Sequence, residues 1–140
     1  DVKWYLALDR PNWLVFEKAI PIVWMFVYAC GIVSACLVWW NEPNTFTTWT
    51  ILISFLLVEI VIDLFNPVTL WTRNFLAGSL VGLIGVLMGI ILTVQVLVSF
   101  AWAALLIIPF LLWSPCGSLL AWKLYQLNKA DIAFPPNSFP

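Results

Sequence analysis

Four long stretches of the chain hold almost nothing that water would solvate: Pro21–Trp40, Phe46–Phe65, Phe75–Leu97 and Ala101–Trp122. Each supplies the roughly 20 apolar residues that a helix needs to cross a bilayer core of about 30 Å. A helix on the surface of a water-soluble bundle alternates apolar and polar faces with a period of 3.6 residues. These stretches are apolar on nearly all faces, so the pattern predicts four membrane-spanning helices. The polar breaks are short: Asn41-Glu42-Pro43-Asn44 and Asn66-Pro67 are turn formers, and a third turn is expected near Ser99. Short connections make consecutive spans antiparallel neighbours. The predicted fold is therefore all-α, a polytopic up-and-down membrane bundle with spans at about 21–40, 46–65, 75–97 and 101–122. One transmembrane domain, 1–128, accounts for the chain, with a Pro-rich tail at 129–140. Its opening segment, 1–18, mixes Trp4, Tyr5, Trp13 and Phe16 with charges and suits the bilayer interface. Because the chain opens at Asp1 with no initiator Met, a preceding segment is expected.

Composition closes off the soluble alternative. With 64% hydrophobic and 9% charged residues there is too little polar surface to cover a soluble globule, and the mean hydropathy is +1.02. Charge then orients the bundle. Lys3, Arg10, Lys18, Arg73, Lys123 and Lys129 all fall on one side of the predicted spans, and the opposite loops, Asn41–Thr45 and the turn near Ser99, carry no Lys or Arg. The positive-inside rule puts both termini on the cytoplasmic side or its stromal or matrix equivalent, in a bacterial inner, thylakoid or organelle membrane. Trp39, Trp40, Trp49 and Trp102 mark one interface, and Trp13, Trp71 and Trp122 the other. A net charge of −1 without a basic cluster argues against nucleic acid as a partner. Cys30, Cys36 and Cys116 lie within spans and the chain has no His, so no metal site is expected and the thiols read as free.

Candidate chemistry is confined to a few positions inside the spans. Trp24 and Trp113 sit several residues in, where an indole N–H must find a partner in protein or ligand. Gly78, Gly82, Gly85 and Gly89 form a stripe with two overlapping G-x-x-x-G patterns, read first as helix packing, within the bundle or across a dimer seam, and second as bare backbone for a flat ligand. Glu59 and Asp63 lie one turn apart, with Glu59 about 9 Å from the predicted helix end at Phe65. Carboxyls at such depth face a cavity or a cation; a proton-accepting site, a pocket wall and an ion pair with Arg73 are the readings. Pro109 and Pro115 interrupt the last span on either side of Trp113, freeing carbonyls beside an indole, which is pocket-like chemistry.

Trp4-Tyr5-Leu6-Ala7-Leu8-Asp9-Arg10-Pro11-Asn12-Trp13 resembles the W-Y-x-x-L-x-K-P-x-W of the translocator protein, or tryptophan-rich sensory protein, family. Pro21-Ile22-Val23-Trp24-Met25-Phe26-Val27-Tyr28 is similar to its G-P-V-W-x-x-x-Y, and Pro109-Phe110-Leu111-Leu112-Trp113 with Trp122-Lys123 to its last helix. The match runs from Trp4 to Asn128 and is weakest in the middle two spans. The resemblance implies a five-helix family fold whose first helix lies upstream of Asp1. It also implies a tryptophan-lined cavity that binds porphyrins, and in some members sterols or lipids. Trp13 and Trp113 match tryptophans associated with that pocket. The chain departs from the family at Val15 and Phe16, where a Pro-Pro pair is replaced, and at Val58 and Ile62, where a Gln and an Asn are lost and Glu59 and Asp63 stand one place along. Ala121 and Gln126 replace a further Asn and Arg.

Two functions follow as expectations. The first is binding of a porphyrin or chlorophyll-type tetrapyrrole, or a flat lipid or sterol, at Trp13, Trp24, Tyr28, Glu59, Asp63, Pro109 and Trp113, with no obligatory cofactor. The second is an accessory subunit of a larger membrane complex, for example a photosynthetic one, holding pigment or lipid without His ligands. Membrane lipid and a homodimer or complex are the expected partners. Two acids with no His, Lys or Ser beside them form no catalytic set, so porphyrin degradation enters through the resemblance alone.

Overall fold

The computed structural model describes residues 17–133, and Trp13 and the rest of 1–16, like 134–140, lie outside the described residues. After a 3-10 turn at Glu17–Ala19 come α1 (Ile20–Asn41), α2 (Phe46–Thr72), α3 (Phe75–Ser99), a short α4 (Ala101–Leu105) and α5 (Ile108–Ala133). No strand occurs among the described residues. Four segments are long and apolar enough to cross a membrane: α1, α2, α3, and α4 together with α5 as far as Asn128. The protein is an all-α, multi-pass integral membrane protein.

The turns form where the residues allow them. Asn44 takes a left-handed φ of 62° and Thr45 caps α2 by accepting from the Thr48 amide at 3.1 Å, while the Thr48 hydroxyl donates to the Glu42 carbonyl at 2.6 Å. Arg73, at φ 50°, ends α2, and the Asn74 side chain caps α3 by accepting from Leu76 N at 2.9 Å.

Several boundaries differ from expectation. Asn66-Pro67 is not a turn: α2 runs through Pro67 to Thr72, two turns beyond the predicted end at Phe65. A transmembrane helix tolerates an interior proline when nearby hydroxyls add backbone contacts. Here Thr69 and Thr72 donate to the carbonyls of Phe65 and Val68 at 2.6 and 2.7 Å. The predicted span 101–122 is likewise not one helix, because the chain turns at Leu106 and Ile107. Pro109 consequently falls in the first turn of α5, where its missing N–H costs nothing, and only Pro115 is interior. Beyond Trp122, α5 continues to Ala133, so the first residues assigned to the tail are helical.

α3 is the central helix, packed closely along both α2 and α5, while α1 stands further off and leans on α4. At that end the buried Ser34 hydroxyl donates to the Ala103 carbonyl at 2.8 Å and pins α1. The buried apolar side chains form two groups. Val38, Ile51, Leu92, Val96, Ile107 and Phe110 belong to the group at the pinned end, and Phe75, Ala121 and Leu124 to a smaller one at the other. Between them the helices do not close. The outer faces carry exposed Ile, Leu, Val and Trp, as contact with lipid requires.

Candidate functional site: an aromatic cavity between the helices

A cavity of about 990 Å³ occupies the gap between α1 and the packed unit of α2, α3 and α5. Its walls include Trp24 and Tyr28 from α1, Asp63 and Phe65 from α2, Gly82 and Gly85 from α3, and Trp113 and Cys116 from α5. Trp24 and Tyr28, one turn apart, lie with ring centroids 5.8 Å apart at 39°. A smaller cleft of about 130 Å³, between α1 and α2, shares Trp24, Tyr28 and Ile62 with the larger one and is flanked by Phe55 and Glu59. Where the two meet, the Tyr28 hydroxyl donates to Asp63 Oδ1 at 2.7 Å.

The carboxyls lie deeper than expected. Because α2 continues to Thr72, Asp63 is about 13 Å and Glu59 about 20 Å from its end, which puts Glu59 at the helix midpoint instead of about 9 Å from the end. Asp63 faces the large cavity and Glu59 the small cleft.

The glycine stripe is used inside the bundle. A Cβ at Gly78 would collide with the Thr69 side chain, at Gly82 with Ser118, and at Gly89 with the ring of Phe110. At Gly85 it would meet Val61 and Ile62 at 3.7 Å. Bare backbone therefore lets α2 and α5 approach α3 from two sides. With Gly78, Gly85 and Gly89 buried in this way, the stripe is not free to form a dimer seam. Gly82 and Gly85 also border the cavity.

Of the other expected site residues, Trp24, Tyr28, Asp63 and Trp113 converge on the large cavity, and Glu59 reaches it only through the cleft. Pro109 borders neither space, because it sits one turn further along α5 towards the pinned end. Sequence reasoning missed the hydroxyl seam beside the cavity, where the Ser79 hydroxyl donates to the Ser118 carbonyl at 3.1 Å and the Ser118 hydroxyl to the Ser114 carbonyl at 3.3 Å. Ser114-x-x-x-Ser118 at helical spacing was the available signal. It also missed Lys123, which lines the same cavity. No group of three or more His, Cys, Asp or Glu that could hold a metal occurs among the described residues.

An integral membrane helical bundle with an indole-lined hollow between its spans is the class that fold and site define. The chain belongs to the TspO/MBR family, whose sequence model matches residues 1–127. It is similar to the tryptophan-rich protein TspO of Bacillus cereus, with 30% identity over 136 residues. It is also similar to the uncharacterized membrane protein YtaB of Bacillus subtilis, with 28% identity over 131 residues. Each match covers 91% of this chain and 82% of the relative.

Proposed function

We propose that the chain is a membrane receptor for a tetrapyrrole of the porphyrin type, or for a flat lipid or sterol of similar size, held in the large cavity. The observation that carries this reading is the convergence of Trp24, Tyr28 and Trp113 on one space of about 990 Å³, at the upper end of the range for small-molecule sites. Indole and phenol faces stack on an extended π-system without any covalent chemistry. Apolar walls disfavour water, and the hydroxyls of Ser79, Thr93 and Ser118 are committed to backbone carbonyls. The reaction is binding. Asp63 and Glu59 serve as polar edges that orient the ligand.

Sidedness is inferred from charge. The N-terminus of α1, the Arg73-Asn74 turn and the C-terminus of α5 lie at one end, with Lys18, Arg73 and Lys123, and that end is cytoplasmic or its organellar equivalent. The cavity then lies in the leaflet on that side.

Titration of the detergent-solubilised chain with protoporphyrin, read by tryptophan quenching and by the shift of the porphyrin absorption band, tests the proposal. Saturable binding in the micromolar range, weakened at least tenfold in the Trp24→Leu/Trp113→Leu double variant, is expected. A folded sample that shows no saturable binding would refute it and favour the accessory-subunit reading, for which copurifying partners are the corresponding observation.

A further inference from the structure

The smaller cleft has walls of its own: Gly31 and Ile32 of α1, Phe55 and Glu59 of α2 and Phe110 of α5 line it and do not border the large cavity. Its floor is buried and apolar, formed by Val58, Leu92, Ile107 and Phe110. At its rim Ile32 and Glu59 are exposed, on faces of α1 and α2 that meet lipid, so the cleft opens sideways into the bilayer. Gly31 makes the room, since no side chain or neighbouring helix stands within 4 Å of where its Cβ would be. Glu59 lies at the midpoint of α2, about 20 Å from either end. Asp63, one turn along, has the Tyr28 hydroxyl as its donor, whereas Glu59 has no hydrogen-bond or ion-pair partner among the described residues. No described Lys or Arg lines the cleft. A carboxyl at this depth calls for a cation, and here the cation must come from outside these helices.

The surroundings of Glu59 say which cation. A metal ion would need several oxygen ligands, and the cleft offers a single carboxyl. What it offers besides is rings: Trp24, Tyr28, Phe55 and Phe110 all line it. Trp24 and Tyr28, tilted at 39° with centroids 5.8 Å apart, make two walls of a corner, and the hydrogen bond to Asp63 holds Tyr28 in place. Aromatic faces around one acid are the chemistry that recognises an organic ammonium, and the attraction is largest where water is scarce. We propose that this cleft is a binding site for the head group of a lipophilic ammonium, a quaternary or protonated amine carried on an apolar chain. Glu59 is its counter-ion and the four rings are its cage. At about 130 Å³ the space lies below the range for whole drug-sized ligands, so it receives the head while the chain stays among the lipids. This site is separate from the tetrapyrrole reading of the large cavity, and neither depends on the other.

Decyltrimethylammonium and its uncharged analogue, in which carbon replaces the nitrogen, share size and chain and differ in charge. Each is titrated calorimetrically into the full chain in a neutral detergent, at raised salt to suppress adsorption on exposed surface acids. Glu59→Gln and Gly31→Leu are measured alongside. The cation is expected to bind saturably and about tenfold more tightly than the analogue. That preference is expected to vanish in Glu59→Gln, and Gly31→Leu, which fills the cleft, is expected to abolish binding of both molecules. Neither substitution should lower the melting temperature, because Glu59 gives up no described partner and the space at Gly31 is open. Equal affinity for cation and analogue in the unaltered chain, or a preference that survives Glu59→Gln, would overturn the inference. So would a folded Gly31→Leu that binds the cation as tightly as the unaltered chain, since the cation would then sit elsewhere. If Gly31→Leu does not fold, the comparison with Glu59→Gln decides alone. Protoporphyrin titration of the unaltered chain reports on the large cavity, so a failure there and a failure here are told apart.

Discussion

Asp63 carries its polarity into the middle of an apolar wall, and the Tyr28 hydroxyl 2.7 Å away is what the structure supplies to receive it. In Tyr28→Phe the carboxyl loses that donor at a depth where water is scarce. The substitution is expected to cost about 1–2 kcal/mol, read as a lower melting temperature in detergent. Asp63→Asn keeps an acceptor, removes the charge and should cost less than Tyr28→Phe. Gln95 presents the opposite case, since its side-chain oxygen is buried without a hydrogen-bond partner. Gln95→Leu removes an unsatisfied acceptor and is expected to be neutral or stabilising by up to about 1 kcal/mol in the same melt. The sequence marks Asp63 by its depth and Tyr28 by its place in a family pattern, but it does not say that they meet. Their separation of 35 positions becomes a contact only through the register of α1 against α2, which depends on where the Asn44 turn puts the second helix.

At the scale of the helices, apolar length was enough to identify all four crossings, because the bilayer core imposes it. The ends were harder to read, and the prolines show why. Pro67 looks like a stop in any sequence, yet neighbouring hydroxyls let α2 continue past it. Pro109 looks like an interior kink, but the chain has already turned at Leu106 and Ile107, so it begins a helix. Neither outcome is set by the proline alone: the first goes with hydroxyls further along the same helix, the second with the turn that precedes Pro109. The glycines separate in the same way. Gly89 is filled by Phe110, whereas Gly31 has no side chain or neighbouring helix within 4 Å of where its Cβ would stand. Gly89→Val is expected to destabilise by about 3 kcal/mol or more through overpacking, and Gly31→Ala to stabilise by up to about 1 kcal/mol through helix propensity alone. Thermal unfolding of the two variants side by side gives opposite signs if α3 and α5 interlock as described.

For the whole molecule, the arrangement is a tight unit of α2, α3 and α5 with α1 pinned to α4 at one end and held away at the other, and the gap is the candidate site. That gap was legible only as a set of candidate aromatics, because a hollow is a property of helix spacing and no single residue announces it. Sidedness is tested independently of ligand. In a bacterial host, a fluorescent protein fused after Pro140 should fold and fluoresce, and alkaline phosphatase at the same point should stay inactive; the reverse pattern would invert the assigned topology. The claim that the hollow between α1 and α5 receives the ligand is tested most directly by the thiol on its wall. Cys116 is exposed and borders the cavity, whereas Cys36 is exposed on α1 and borders neither space. In two variants, one retaining Cys116 and the other Cys36 as the sole cysteine, the rate of maleimide labelling is measured with and without protoporphyrin. Protection of Cys116 by at least fivefold, with Cys36 unchanged, is the predicted result. Saturable porphyrin binding that leaves the labelling of Cys116 untouched would place the ligand elsewhere and contradict the account.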